Sequence, residues 1–320
     1  MVPIIITALA TGDALGKPFE NCKRDDVEMR AWFHDPNNTF LACSSVHRGH
    51  DFDLGPAGEV AGASTDDTQM AVALGRSLLE CGEYDPANAW LHYRSWFRGE
   101  GFGGRARGVG GTIRKALETD APVDLRAGGV YVGNGGAMRV APIGVYYRND
   151  LVALLKAARA DARLTHDSPE AEAGSVAVAV AIASSIKHGG VENACHLVWK
   201  DVLAALRAEE RHHTATFAKI AHARTASVFG TTAHGAGIGT MGFVADTVAS
   251  ALLTGNSADT FDECVCNAIL HAGDTDTRAA IAAAIRMARG DCAIPERWRG
   301  VEAREELLEL DARLWKAGEP

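Results

Sequence analysis

The chain has 320 residues, 47% hydrophobic and 23% charged, with a formal net charge of −9 at pH 7. That length can bury a large core, and the balance is that of a folded globular protein, not a disordered one. The acidic excess argues against a broad nucleic-acid-binding or anionic-membrane surface, so any anion must be held locally by amides and a few cations.

Helical punctuation dominates from the first residues on. Helices are predicted near 3–15, 66–82, 86–97, 110–119, 151–161, 169–188, 191–207, 213–225, 242–254, 259–271, 276–289 and 302–317. The opening "MVPIIITALATGDALG" is apolar but has no basic leading region, so it does not read as a signal peptide. Val176, Val178, Val180 and Ile182 alternate as in a strand, yet the flanks favour a buried helix. Ser168 is a cap, Pro169 suits the first helical position, and Lys187 and His188 precede a Gly189-Gly190 stop. The apolar run at 176–183 is far short of the ~20 residues that a membrane span needs. Seven scattered cysteines, odd in number and without a CxxC pair, suit reduced thiols and a cytoplasmic location. No repeat or linker interrupts the chain, and the glycine-dense stretches 99–111, 128–136 and 230–242 read as loops. The expectation is an all-α fold, a single domain over 1–320, with functional loops on one side.

Two acidic runs open helices: "STDDT" at 64–68 and "DTDT" at 274–277. One cap needs one side chain, and each run supplies more. Carboxylates and hydroxyls without a basic residue are what hard cations such as Mg²⁺ and Mn²⁺ take. The second run begins like an EF-hand, but Ala279 and Ile285 stand where that loop needs Gly and Glu. No His/Cys spacing supports zinc, and His271 reads as a helix-end residue. In "GDALGKPFEN", 12–21, Asp13 lies on a helix, Gly16 reads as its C-cap and Glu20 as solvated loop. "GGVYVGNGGAMR", 128–139, offers backbone amides, the Tyr131 ring and the Arg139 cation, a combination that can cradle phosphate. "GIGTMG", 237–242, matches GxGxxG but follows no clear strand, which excludes a dinucleotide fold.

Taken together, "GDALG" at 12–16, "STDDTQMAVAL" at 64–74, "GNGGAMRVAPIG" at 133–144, "LTHDS" at 164–168, "HAGDTDT" at 271–277 and "IPERW" at 294–298 resemble the ADP-ribosylglycohydrolases, dinitrogenase-reductase-activating type. The resemblance spans the chain and implies an all-α fold with a binuclear Mg²⁺ or Mn²⁺ centre in a cleft. It implies Thr65, Asp66, Asp67, Asp274, Asp276 and Thr277 as metal ligands, and Glu20, no longer read as solvated, over the metals. Glu20, Asp66 and Asp274 are then the catalytic carboxylates. Gly129, Gly133, Asn134 and Gly135 would hold the diphosphate of ADP-ribose, with Tyr131 (or Val132) on the adenine and His166 on the nucleotide. The implied reaction removes ADP-ribose from a modified side chain, or from a small ADP-ribosyl compound, by cleaving the C1″ bond. The implied partners are that ADP-ribosylated substrate and the ADP-ribose product, with no membrane or general nucleic-acid partner and a monomeric state. Two alternatives are an inactive ADP-ribose-binding relative and a binuclear-metal nucleotide phosphohydrolase. Two departures bear on the acceptor: Gly108 stands where arginine-directed members would carry an acid, and Phe243 where a tyrosine is expected. Arg278, directly after "DTDT", is placed either to pair with a ligand carboxylate or to point into solvent.

Overall fold

A computed structural model describes residues 2–21, 26–40, 61–119, 131–228, 231–233, 235–270 and 272–319. In chain order the α-helices are α1 (Ile5–Gly16), α2 (Asp26–His34), α3 (Asp66–Cys81), α4 (Pro86–Phe97), α5 (Gly111–Leu117), α6 (Gly135–Arg139) and α7 (Ala141–Tyr146). They continue with α8 (Leu151–Arg163), α9 (Pro169–His188), α10 (Ala194–Ala208), α11 (Ala215–Val228), α12 (Val244–Ser257), α13 (Phe261–Ile269), α14 (Thr275–Ala288) and α15 (Arg304–Ala317). Among the described residues there is no β-strand, only an isolated antiparallel bridge between Gly133 and Phe243. The all-α expectation holds.

Small side chains set the architecture. Every residue of α1 and of α14 is buried, and the two helices pack against each other. Gly12 and Gly16 make that approach possible. A Cβ on Gly12 would lie 2.4 Å from the Ala279 carbonyl oxygen, and one on Gly16 would lie 2.5 Å from that of Thr275. Gly16 was expected to be a C-cap, and the structure corrects this: its φ is −76°, right-handed, and the chain runs on into a 3-10 turn at Lys17–Phe19. Contact, not backbone freedom, demands a glycine there.

Helix α9 is the second buried axis, with Ala171–Ser185 buried and α6, α7, α8, α10, α12 and α14 packed around it. Ser168 Oγ accepts from Ala171 N at 3.2 Å, and Pro169 occupies the first turn, as its flanks predicted. Helix α12 lies between α11 and α14, while α3 packs on α1, α4 and α15. Three expectations shift: 135–139 is helical, not loop, and α2 and α7 are additional helices. Among the described residues no helix is long and apolar enough to cross a membrane, and Cys81, Cys195, Cys264, Cys266 and Cys292 form no disulfide.

Candidate metal centre

The first acidic run is shaped by a residue far away in sequence. Asp13, fully buried on α1, accepts from Thr65 N (2.8 Å), Thr65 Oγ1 (2.8 Å), Thr68 N (3.3 Å) and Thr68 Oγ1 (2.6 Å). Thr65 stands at the N-cap position of α3 but makes no capping bond itself. The cap comes across the α1–α3 interface, which frees Asp66 and Asp67 from that duty. On the other flank Gln69 donates to the carbonyls of Phe102 (3.3 Å) and Arg105 (3.2 Å), and accepts from Trp96 Nε1 (2.8 Å) and Arg107 N (3.1 Å). The glycine loop 99–110 is thereby held against α3, and Gly110 N donates to Asp66 Oδ2 at 3.4 Å. Gly108 has φ +70°, and a Cβ there would lie 2.8 Å from Asp66 Oδ1. No acid fits at position 108 without displacing Asp66.

The second run is held by loops. Asp274 N donates to Thr240 O at 2.8 Å, and Gly273, at φ +84°, would bring a Cβ to 2.2 Å from that oxygen. Asn134 Nδ2 donates to Asp274 Oδ2 (2.6 Å) and Thr247 Oγ1 (3.0 Å). The loops carrying Asn134 and Thr240 are clipped together by Val244 N to Val132 O (2.9 Å) and Asn134 N to Gly242 O (3.2 Å). The GxGxxG stretch is thus a strap on Asp274, in keeping with the absence of a dinucleotide fold.

The two runs meet. Ligand oxygens of Asp13, Asp67 and Asp276 lie within 4.8 Å of one another, and so do those of Glu20, Asp274 and Asp276; Asp276 belongs to both groups. Asp66 and Thr277 line the same cleft, while Thr65 is buried beneath it with its hydroxyl on Asp13 and Asp67 Oδ2 (3.1 Å). One cation sits among the acids: Lys17 Nζ donates to Glu20 Oε2 at 2.5 Å and lies 3.2 Å from Asp276 Oδ2. Burial first, then neighbouring carboxylates, pushes Asp13 up to about 6, Glu20 to about 7 and Asp274 to about 8, and raises Asp67 well above its ordinary range. Asp66 is also raised well above the ordinary range, by burial and by Asp276 and Asp13, against the pull of Lys17. Asp276 alone is lowered: its burial is the largest single influence and pushes it up, but the Lys17 charge together with hydrogen bonds to Asp274, Lys17 and the Thr277 amide outweighs it. Asp67 Oδ1 is buried and has no hydrogen-bond partner among the described residues. An all-oxygen donor set with an orphaned carboxylate oxygen and raised acids fits a hard divalent cation.

A cleft of about 210 Å³ opens on these acids, walled by Lys17, Gly108, Gly133, Gly135, Met138 and His166 among others. It suits part of a nucleotide rather than all of one. A larger cavity of about 470 Å³ lies elsewhere, bordered by Asn256, Arg278 and Arg289, and contains neither acid group; the chemistry assigns the site to the smaller one. Tyr131 does not border the cleft; its hydroxyl accepts from Lys115 Nζ at 3.4 Å. Gly129 lies outside the described residues.

Two basic residues differ from expectation. Arg139 was read as a cation for phosphate, yet it is fully buried and paired with Asp161, Nε to Oδ2 at 2.8 Å. Arg278 neither pairs with a ligand carboxylate nor reaches solvent: it is buried, and Nη2 donates to the carbonyls of Leu270 (3.0 Å) and Ala272 (2.9 Å). Burial lowers its pKa to about 10. Sequence reading missed Asp13 as a site organiser and Lys17 as the internal cation. The glycines on either side of Asp13 were the available signal, since they mark α1 as a helix in close contact.

The sequence model of the ADP-ribosylglycohydrolase family matches residues 5–320. An uncharacterized protein of Archaeoglobus fulgidus is 33% identical over 97% of this chain and 94% of its own. The ADP-ribosyl-[dinitrogen reductase] glycohydrolase of Rhodospirillum rubrum is 27% identical over 97% of this chain and 94% of its own. Among solved structures, an ADP-ribosylglycohydrolase-related protein complex superposes with a TM-score of 0.67 at 28% identity, covering 98% of this chain and 96% of that one. With a family model matched almost from end to end and the same fold in a solved relative, the chain belongs to the ADP-ribosylglycohydrolase family.

Proposed function

We propose that this chain is a single-domain hydrolase that releases ADP-ribose from an ADP-ribosylated side chain, or from a small ADP-ribosyl compound, by cleaving the C1″ glycosidic bond. The observation that carries the reading is Asp276, shared by two carboxylate groups at the floor of a cleft walled by Gly133, Gly135 and His166. Two divalent cations, Mg²⁺ or Mn²⁺, would be held by Thr65, Asp66, Asp67, Asp274, Asp276 and Thr277. When bound they supply Lewis-acid polarisation and a template for the ribose hydroxyls.

The chain's own groups do the rest. The Gly133–Gly135 backbone and His166 hold the phosphate-bearing part of the substrate, which fixes the distal ribose over the acids. Breaking the C1″ bond builds positive, oxocarbenium-like charge on the sugar, and Asp66 and Asp274 stabilise it. Glu20, raised to about 7 by burial and Asp276, stands near neutrality, where a carboxyl can take or give a proton at the scissile oxygen. Lys17 keeps Glu20 and Asp276 in place before substrate arrives. The Rhodospirillum rubrum relative is named for action on an ADP-ribosylated protein, and the same substrate class is proposed here. Because Gly108 leaves no room for an acid beside Asp66, the acceptor is one whose linkage is cleaved without a carboxylate at that position.

The test is product release from ADP-ribosyl-arginine and ADP-ribosyl-serine peptides with Mg²⁺ or Mn²⁺, and again with EDTA. Metal-dependent appearance of intact ADP-ribose from either peptide is expected, and the faster peptide reports the acceptor. AMP with ribose phosphate would instead make this a phosphohydrolase, and binding without turnover an inactive relative.

A further inference from the structure

Beneath the cleft runs a chain of buried hydrogen bonds that the proposed reaction leaves unassigned. Arg139 Nε donates to Asp161 Oδ2 (2.8 Å) and Nη2 to Asp161 O (2.7 Å). Its Nη1 donates to Thr165 Oγ1 (2.7 Å) and Gly135 O (3.1 Å). Tyr93 OH donates to the second oxygen, Asp161 Oδ1, at 2.7 Å, and the guanidinium lies 4.7 Å from the Tyr93 ring centre. Arg139, Asp161, Thr165 and Tyr93 have no solvent exposure, so the rotamers are fixed by packing as well as by bonding.

The direction of these bonds determines where one proton sits. Arginine only donates, so the Thr165 hydroxyl is an acceptor toward Arg139. Its own O–H then needs an acceptor, and the side-chain atom recorded beside it is His166 Nδ1, at 2.9 Å. A nitrogen that accepts there carries no proton, so the neutral ring holds its proton on Nε2. Charge agrees with geometry: burial, and then the Arg139 guanidinium, hold the imidazole down to about 3, which leaves it neutral over the working range. No described residue accepts from Nε2, and His166 borders the cleft. A Cβ on Gly133 would lie 3.1 Å from Nε2, and one on Gly135 would lie 3.2 Å from it, so both glycines keep the edge of the ring clear.

We infer that Arg139 and Thr165 are positioning residues that lock His166 as the Nε2–H tautomer, so that the cleft presents a fixed, uncharged hydrogen-bond donor beside the Gly133–Gly135 backbone. The ligand atom that meets it is an acceptor, such as a phosphoryl or ring oxygen. A group that can only donate is refused at that point. The identity of that ligand as ADP-ribose rests on the function proposed above; the tautomer does not.

The experiment separates the two. Long-range ¹H–¹⁵N correlation spectra of histidine-labelled protein identify which ring nitrogen is protonated, and His166→Gln assigns the signals. In the unaltered protein a single Nε2–H tautomer is expected. Thr165→Val removes the hydroxyl at nearly constant shape and should give a mixture or the Nδ1–H form, whereas Thr165→Ser should restore Nε2–H. With free ADP-ribose as the probe, Thr165→Val should weaken binding by roughly fivefold to tenfold, the scale of one neutral hydrogen bond. A bare Nε2 in the unaltered protein, or an unchanged tautomer in Thr165→Val, overturns the inference. If the tautomers behave as stated but ADP-ribose does not bind, the positioning chain stands and the proposed function fails.

Discussion

The helix starts of α3 and α14 carry similar acids and are built in opposite ways. At α3 the turn is fixed by side chains: Asp13 supplies the cap from α1, and Gln69 fastens the loop on its other flank. At α14 the turn is fixed largely by backbone, with Thr240 O receiving Asp274 N and Gly273 at φ +84° leaving room for the approach. At neither helix does the residue in the N-cap position, Thr65 or Asp274, make a capping bond with its own side chain. A site that collects like charges takes its restraint from elsewhere, because each carboxylate spent on a cap would be lost to a cation.

The largest effect is expected where the two starts converge. Asp276→Asn changes the residue common to both groups and should lower ADP-ribose release roughly a thousandfold, about 4 kcal/mol. It should also abolish the rise in Tm that Mg²⁺ or Mn²⁺ gives the unaltered protein; turnover within about tenfold of the original would remove Asp276 from the centre. Next come the restraints. Gly273→Val meets both a positive φ and the Thr240 carbonyl, so chemical denaturation should show a loss of about 3 kcal/mol or more. Asp13→Ala should cost about 2 kcal/mol through the lost cap and its stranded donors. Equal losses would erase the contrast between a backbone-built turn and one built by side chains.

His166 sharpens the comparison from the loop side. Its folded pKa, about 3, lies below the 6.5 of the free side chain, so between those values the unfolded chain binds a proton that the folded chain refuses. Stability therefore falls as pH drops from about 6.5 toward 3, by roughly 2–3 kcal/mol at pH 4.5. Denaturation of His166→Gln across that range should lack this component. The smallest effect is expected for Asn134→Ala, which frees Asp274 Oδ2 without touching an ion: about tenfold in turnover and little change in Tm. A loss as large as that of Asp276→Asn would mean that Asn134 itself contacts substrate.

Much of this molecule is legible along the chain because helices announce themselves locally. Ser168-Pro169 opens α9, and the pairing of "STDDT" with "DTDT" marks the two acid-rich turns that the fold brings together. What stayed hidden acts across distance. Nothing near Asp13 says that it caps a helix beginning at Asp66, and nothing near Arg139 says that Asp161 and Thr165 will absorb its charge. Glycine misled in the other direction. Gly16 looked like a stop and is a point of contact, while Gly135–Arg139 looked like a loop and is a short helix with its glycines against His166 and Ser175.

One consequence of the α1–α14 crossing reaches beyond packing. Gly12 and Gly16 sit against the α14 backbone, and between them Asp13 grips α3, so within five residues α1 touches the carriers of both acid runs. It works as a gauge block: the gap between the two halves of the centre is set by one rigid helix rather than by six adaptable side chains. Inserting a single residue between Gly12 and Gly16 would turn one contact about 100° away from the other. Length in this stretch is therefore as strictly specified as any ligand, although none of its backbone contacts would ever be counted among the residues that bind.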